Sequence, residues 1–97
     1  MNIPKEFKVG VRKHTVKLVP KIDRGKVNGR IWLNANTIHI ARKNHEGLRK
    51  PRQMEQTFWH EAVHAILGDM GHHLSRDEDF VDAVATRIHQ ITTTAKF

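Results

Sequence analysis

The chain has no cysteine, which limits the metal and redox chemistry that it can carry. Without cysteine there is neither a disulfide framework nor a thiolate-ligated zinc ion, so a bound metal must be held by His, Asp or Glu. Structural zinc sites usually use cysteine, whereas histidine and carboxylate ligands are typical of catalytic zinc. Any zinc site in this chain is therefore expected to be catalytic.

Long apolar runs are also missing. No stretch approaches the roughly 18 consecutive apolar residues that a membrane-spanning helix requires, and residues 1–6 lack the apolar core of a signal peptide. We therefore expect a protein that makes no use of a membrane and resides in the cytoplasm. A length of 97 residues suits one modest hydrophobic core, so residues 1–97 are expected to form a single domain.

The most informative feature that is present is an HExxH motif at residues 60–64. On an α-helix, His60 and His64 lie one turn apart on the same face and can bind one zinc ion. Glu61 lies about 100° round the helix, where its carboxylate can take a proton from a zinc-bound water. The surrounding helix is apolar almost all round, which indicates burial, and buried His and Glu side chains need partners. A metal ion would satisfy all three.

The net charge of +7 is concentrated in two segments, residues 5–30 and residues 42–52. A basic surface of this kind serves solubility, or it attracts nucleic acid or an acidic partner. No aromatic residues are interleaved with the basic ones along the sequence to stack on bases. We therefore expect at most weak, non-specific nucleic-acid binding.

The pattern of apolar residues predicts an α+β fold, with strands up to about residue 41 and helices after about residue 53. Alternating apolar residues indicate strands around residues 7–11, 16–18, 30–33 and 37–40. Asn28-Gly29 predicts a tight turn between strands, and the polar segment 41–51 predicts a loop. The motif helix is expected from about residue 53 to residue 70, with Gly71 at its C′ position, and a second helix from about residue 76 to residue 92.

A catalytic zinc ion usually has three protein ligands, so a third must come from downstream of the motif. Leu67 and Met70 stand where a metzincin would have its glycine and third histidine. The other candidates are His72, His73, Asp77, Glu78, Asp79 and Asp82. Glu78 is favoured because it shares a face of the second helix with Asp82, and both flank the apolar stripe, so they can face the motif helix while the stripe packs against it. However, Ser75 and Glu78 also fit a capping box, which would turn the Glu78 carboxylate away from a metal.

Asp82 has two possible roles. It can accept a hydrogen bond from the free imidazole nitrogen of a ligating histidine and so fix the tautomer of that ring. Alternatively, it is a surface acid that pairs with Arg87 or with a basic residue of the sheet.

The two segments together resemble the gluzincin pattern HExxH…ExxxD, with ExxxD at residues 78–82. More closely, residues 25–95 resemble the minimal zincin domains of small phage and prophage metallopeptidases related to ImmA and IrrE. The resemblance implies a minimal zincin fold, in which a small antiparallel-rich N-terminal sheet precedes an active-site helix and a C-terminal helix that carries the third ligand. It also implies one Zn²⁺ ion held by His60, His64 and Glu78, with Asp82 as the partner behind a ligand, and peptide hydrolysis in the host cytoplasm if the chain is phage-encoded.

In this interpretation Glu61 is the general base, and the strand at residues 37–41 is the zincin edge strand along which a peptide or protein substrate pairs. The chain has no tyrosine, and the possible donors to the oxyanion are His72, His73 and His39. Two other functions stay open: a zinc-containing regulatory module with little proteolytic activity, and a nucleic-acid-binding module with structural zinc. Retention of Glu61 disfavours both, because neither needs a base.

Overall fold

In the computed structural model of the chain, which describes residues 1–97, the N-terminal half forms a four-stranded sheet. Its strands are β1 (Glu6–Val9), β2 (Arg12–Val19), β3 (Gly29–Trp32) and β4 (Thr37–Ala41). The spatial order is β1-β2-β4-β3, so β2 and β4 are the inner strands. Both outer pairings are antiparallel, and β2 runs parallel to β4. The predicted α+β class is confirmed, and the antiparallel-rich sheet contains one parallel pair at its centre.

The connection from β2 to β3 does not turn at Asn28-Gly29, so that prediction was wrong. The chain turns at residues 23–25, where Asp23, Arg24 and Gly25 all have positive φ, and an isolated bridge joins Ile22 to Val27. Gly29 is already the first residue of β3. A tight turn there would make a hairpin of adjacent strands, but β2 pairs with β4 instead.

The segment predicted as a loop contains a small hairpin of β5 (Lys43–Asn44) and β6 (Gly47–Leu48). Arg49 follows this hairpin and is buried despite its charge. Its guanidinium donates hydrogen bonds to the carbonyls of Asn28, Ala41 and Gln53. These bonds tie the ends of β3 and β4 to the first turn of the following helix.

The C-terminal half consists of α1 (Pro51–Asp69) and α2 (Glu78–Thr94), as predicted to within about two residues at each end. Pro51 occupies the first position of α1, where its missing N–H costs nothing. Gly71 ends the helix with a φ of +64°, as expected of the residue at C′. Neither helix is both long and apolar enough to cross a membrane.

The helices cover one face of the sheet and pack on each other through two apolar clusters. The first joins the sheet to α1, and its buried members are Val16, Ile38, Ile40, Met54, Phe58 and Ala62. The second joins α1 to α2, and its buried members are Val63, Leu67, Val81 and Ala85. Since α2 is fixed against α1 by this second cluster, residues at its N-terminus are held beside the middle of α1.

A buried polar pair also joins the two helices. His89 of α2 lies 3.2 Å from a carboxylate oxygen of Glu55, and its other ring nitrogen lies 3.0 Å from the side-chain oxygen of Gln56. The Gln56 amide nitrogen donates to the Thr86 hydroxyl. His89 thus links α2 to two neighbouring residues of α1 through both of its ring nitrogens.

Candidate metal centre

The histidines of the HExxH motif lie side by side on α1, facing the N-terminus of α2. Their ring centroids are 5.0 Å apart, as expected for residues separated by one helical turn. The side chains of His60 and His64 are only 18% and 11% exposed. Both rings are thus held by packing, and only their edges reach solvent.

Glu78 of α2 bridges the two rings. One carboxylate oxygen lies 2.8 Å from Nε2 of His60, and the other lies 3.0 Å from Nε2 of His64. The potential ligand atoms of His60, His64 and Glu78 all lie within 4.8 Å of one another. The structure therefore brings together the three residues that were predicted from the sequence as ligands.

The capping box that competed for Glu78 does not form. The N-cap of α2 is Asp77, whose carboxylate accepts a hydrogen bond of 2.9 Å from the Phe80 amide. Glu78 is therefore the first helical residue rather than the third, and its side chain is free to turn toward α1. Ser75 precedes the cap and contributes its carbonyl oxygen to the site instead.

The Nδ1 atoms of His60 and His64, on the side of each ring away from Glu78, show which ring nitrogens carry protons. Nδ1 of His64 lies 2.7 Å from the carbonyl oxygen of Ser75, which can only accept, so Nδ1 must donate. Nδ1 of His60 lies 3.3 Å from a carboxylate oxygen of Asp82 and is oriented in the same way. In the neutral rings both Nε2 atoms are consequently lone-pair acceptors. Asp82 thus has the position expected of a residue that holds a ligating ring, and Arg87 bonds within its own helix to Ala83.

Two acceptors that face each other need either a proton or a metal ion between them. Two Nε2 lone pairs and one carboxylate converge here, and a tetrahedral zinc ion with bonds of about 2.0–2.1 Å separates its ligand atoms by about 3.3 Å. The Nε2–oxygen distances of 2.8 and 3.0 Å are those of N–H···O hydrogen bonds and lie a few tenths of an ångström below that value. The residues present therefore fit zinc, with no cysteine required.

Glu61 is buried beside this group, and burial raises its pKa, since desolvation disfavours the charged carboxylate. The nearby rings of His60 and His64 oppose that increase. The approach of β3 to α1 at this point depends on Gly29. A Cβ atom there would overlap the Thr57 methyl group and lie 3.2 Å from Oε2 of Glu61.

Two clefts meet at this centre, and both are lined by Gly29, Glu61 and Glu78. The first has a volume of about 710 Å³ and extends toward the β5–β6 hairpin, where Arg49 and Arg52 line it. None of its lining residues is hydrophobic. The second has a volume of about 650 Å³ and follows β3 toward Trp32 and Leu33. The clefts thus form a continuous path past Glu61.

The strand beside this path is β3 and not β4. The expectation that residues 37–41 form the edge strand was wrong, because β4 is paired with β2 on one side and with β3 on the other. β3 pairs with β4 alone, so its second edge is free. Sequence proximity to α1 suggested β4, whereas the order of the strands is set by pairing that the sequence does not display.

None of the three histidines considered as oxyanion donors lines either cleft. His39 lies on the face of the sheet away from the helices, where its ring contacts Trp32. His72 accepts a hydrogen bond from the Leu74 amide and stacks on His73. Arg30 and Arg76, which the sequence did not single out, line the second cleft. Only the placement of β3 and of the turn before α2 identifies these two cations.

Comparison of the chain with protein-family models, with curated proteins and with solved structures found no match.

Proposed function

We propose that the chain is a zinc-dependent peptidase of the gluzincin type. The observation that carries this proposal is the convergence of His60, His64 and Glu78 on one point beside the buried carboxylate of Glu61. A structural metal site has no need of a base next to the metal, whereas hydrolysis requires one. The clefts on both sides of the point provide room for a peptide chain.

His60, His64 and Glu78 would hold the ion. A bound zinc ion would supply Lewis-acid chemistry by lowering the pKa of water and polarising the scissile carbonyl group. Glu61 accepts the proton from the attacking water, and the raised pKa that burial gives this carboxylate suits it to pass the proton to the leaving amine. The Ser75 carbonyl and Asp82 keep the two imidazole rings in their orientation.

The substrate would lie along the free edge of β3. An extended peptide can pair with the unpaired backbone groups of an edge strand, which holds the main chain in register. Gly29 keeps this edge close to Glu61. In the first cleft, Arg49 and Arg52 supply positive charge on polar walls, and we infer a preference there for polar or acidic side chains of the substrate.

Substitution of Glu61 by Gln tests the proposal. Gln has the shape of Glu but cannot accept the proton, so peptide hydrolysis should fall by at least about 100-fold, the lower range of a general-base contribution. Zinc content, measured by mass spectrometry of the metal, should stay near one ion per chain. A degenerate peptide library followed by product sequencing gives the activity readout.

The matched control is Glu6→Gln, which removes the same charge from β1, outside both clefts and the metal centre. It should retain hydrolysis. If the Glu61→Gln protein cleaves peptides as fast as the parent chain, the peptidase assignment fails.

A further inference from the structure

The face of the sheet opposite the helices is uncovered and basic. The strands alternate along their central residues. Val19 and Ala41, at the ends of β2 and β4, lie on the side away from α1 but are half-buried and buried, respectively. The other residues that point away from α1 are Glu6 and Lys8 of β1, Lys13, Thr15 and Lys17 of β2, Arg30 and Trp32 of β3, and Thr37 and His39 of β4. All are exposed except the two on the inner strand β4, which are partly exposed. We call this surface the open face.

The register of the strands places the basic residues of the open face in rows. Lys17 is paired with His39, and His39 is paired with Arg30, so these three lie in one line across three strands. Lys8 is paired with Lys13 at the other end of the sheet. The sole carboxylate of this face is Glu6, which forms a 2.9 Å salt bridge with Lys13.

An aromatic pair lies among these cations. The Trp32 ring meets the His39 ring edge to face, with centroids 4.8 Å apart, and Trp32 remains 38% exposed. Burial lowers the pKa of His39, and the positive charge of Lys17 lowers it further. The lowered pKa favours the neutral form of the His39 ring, which packs against the indole of Trp32.

We propose that the open face binds single-stranded nucleic acid without sequence preference, with phosphates on Lys8, Lys13, Lys17 and Arg30 and a base stacked on Trp32. Basic grooves or sheets with an exposed aromatic ring are the usual platform for single strands, because every base offers a π-face. A duplex keeps its bases stacked on one another and cannot use Trp32 in this way. Charge alone would attract any polyanion, so the aromatic ring is what specifies the strand.

This binding uses none of the residues His60, Glu61, His64 and Glu78, although Arg30 and Trp32 also line the second cleft. It should persist after the metal is removed with a chelator. This surface could not be predicted from the sequence, because Trp32 and His39 lie beside the lysines only through strand pairing.

Binding is measured by the fluorescence anisotropy of a labelled oligothymidylate of about 12 nucleotides, within the site size of single-strand binders. With three to four phosphates contacted, log affinity should fall with log salt concentration with a slope of about −2 to −3. An equal duplex should bind at least several-fold more weakly. Equal binding of duplex and single strand, or of an acidic polypeptide, would overturn the proposal.

The location is tested by two matched variants, Lys17→Gln on the open face and Lys43→Gln on the β5–β6 hairpin. Both remove one exposed lysine charge from a strand. Lys17→Gln should make the salt slope shallower by about 0.7, the share of one phosphate contact. Lys43→Gln should leave it unchanged. Equal effects of the two variants would mean that net charge alone is responsible.

The stacking step has its own readout, because the chain contains only two tryptophans. In a Trp59→Phe background, emission comes from Trp32 alone and should be quenched when the oligonucleotide binds. Trp32→Ala should weaken binding by roughly 5- to 100-fold, the range for one base–aromatic stack. Circular dichroism melts verify that each variant is folded. A folded Trp32→Ala protein with parental affinity contradicts the assigned role of the ring.

Discussion

Glu78→Ala should separate metal binding from helix capping at the same position. The structure places Glu78 beside His60 and His64 in a group that could hold a metal ion, and it assigns the N-cap of α2 to Asp77. Zinc sites with four protein ligands have apparent binding free energies of about 10–16 kcal/mol, or about 2.5–4 kcal/mol for each ligand. The loss of Glu78 should therefore weaken zinc affinity by about 100-fold or more.

The cost to the metal-free fold should be much smaller. The Glu78 side chain is 69% exposed, and its contribution at the N-terminus of α2 is that of an acid near the helix dipole, about 0.3–1 kcal/mol. Zinc affinity is measured by titration against a competing chelator, and stability by thermal melts with and without zinc. The zinc-dependent increase in melting temperature should largely disappear in Glu78→Ala.

Asp79→Ala is the matched control for this experiment. Asp79 is the next residue in the same helical turn, is also exposed and acidic, and lies outside the candidate ligand group. Its loss removes the same helix-dipole interaction and should leave zinc affinity near that of the parent. The reasoning is refuted if Glu78→Ala keeps parental affinity while His72→Ala or His73→Ala loses it, because the third ligand would then be a histidine.

Two further predictions concern residues that position the site. Asp82→Ala should reduce zinc affinity or activity by about 10- to 100-fold, because Asp82 acts by holding the His60 ring. The loss of zinc affinity, measured by chelator competition, should be smaller than in Glu78→Ala. Unchanged affinity and activity would mean that Asp82 is an ordinary surface acid. Burial alone would raise the pKa of Glu55, but hydrogen bonds from the Asn2 amide and from His89 lower it overall. A lowered folded-state pKa means that Glu55 adds stability above its unfolded-state pKa of about 4.3 and that this stability is lost as the pH falls through the folded-state pKa. The free energy of unfolding, measured with urea between about pH 6 and pH 3, should fall less with decreasing pH in Glu55→Gln than in Glu6→Gln. An equal decrease in the two variants would contradict the role given to His89.

The residues of α1 could be predicted from the sequence because their geometry is local. Spacing along one helix determines that His60 and His64 share a face and that Glu61 lies beside them. The end of α1 at Gly71 was equally local, since a glycine after an apolar helix favours the left-handed conformation seen there. Such features need no knowledge of the rest of the fold.

The choice of cap on α2 was ambiguous for a physical reason. Both Ser75 and Asp77 are good N-cap residues, and each choice starts the helix at a different point. The Asp77 amide donates to the Leu74 carbonyl, which forms a turn just before the helix, and the Ser75 carbonyl is engaged by His64. Tertiary contact with α1 therefore selects Asp77, and the release of Glu78 follows from that selection.

Strand order could not be predicted, because it depends on non-local pairing. Asn28-Gly29 is a strong local signal for a hairpin, yet the parallel pairing of β2 with β4 requires the chain to cross over, and Gly29 serves the approach of β3 to α1. The error about the edge strand followed from the same cause. Buried Arg49 was likewise read as part of a solvated basic loop, although its bonds to three carbonyls are what fix the end of the sheet.

The two proposed functions share β3, and the pleat of that strand explains how they can be separated by experiment. Successive residues of a strand point to opposite faces, so Gly29 and Ile31 face the helices while Arg30 and Trp32 face outward. At the free edge, however, Arg30 and Trp32 also reach the rim of the second cleft, so their substitution is able to affect both activities. Lys17 lies on β2, two strands from that edge, and lines neither cleft. A change at Lys17 that alters nucleic-acid binding but not peptide hydrolysis would therefore establish that the two surfaces act independently.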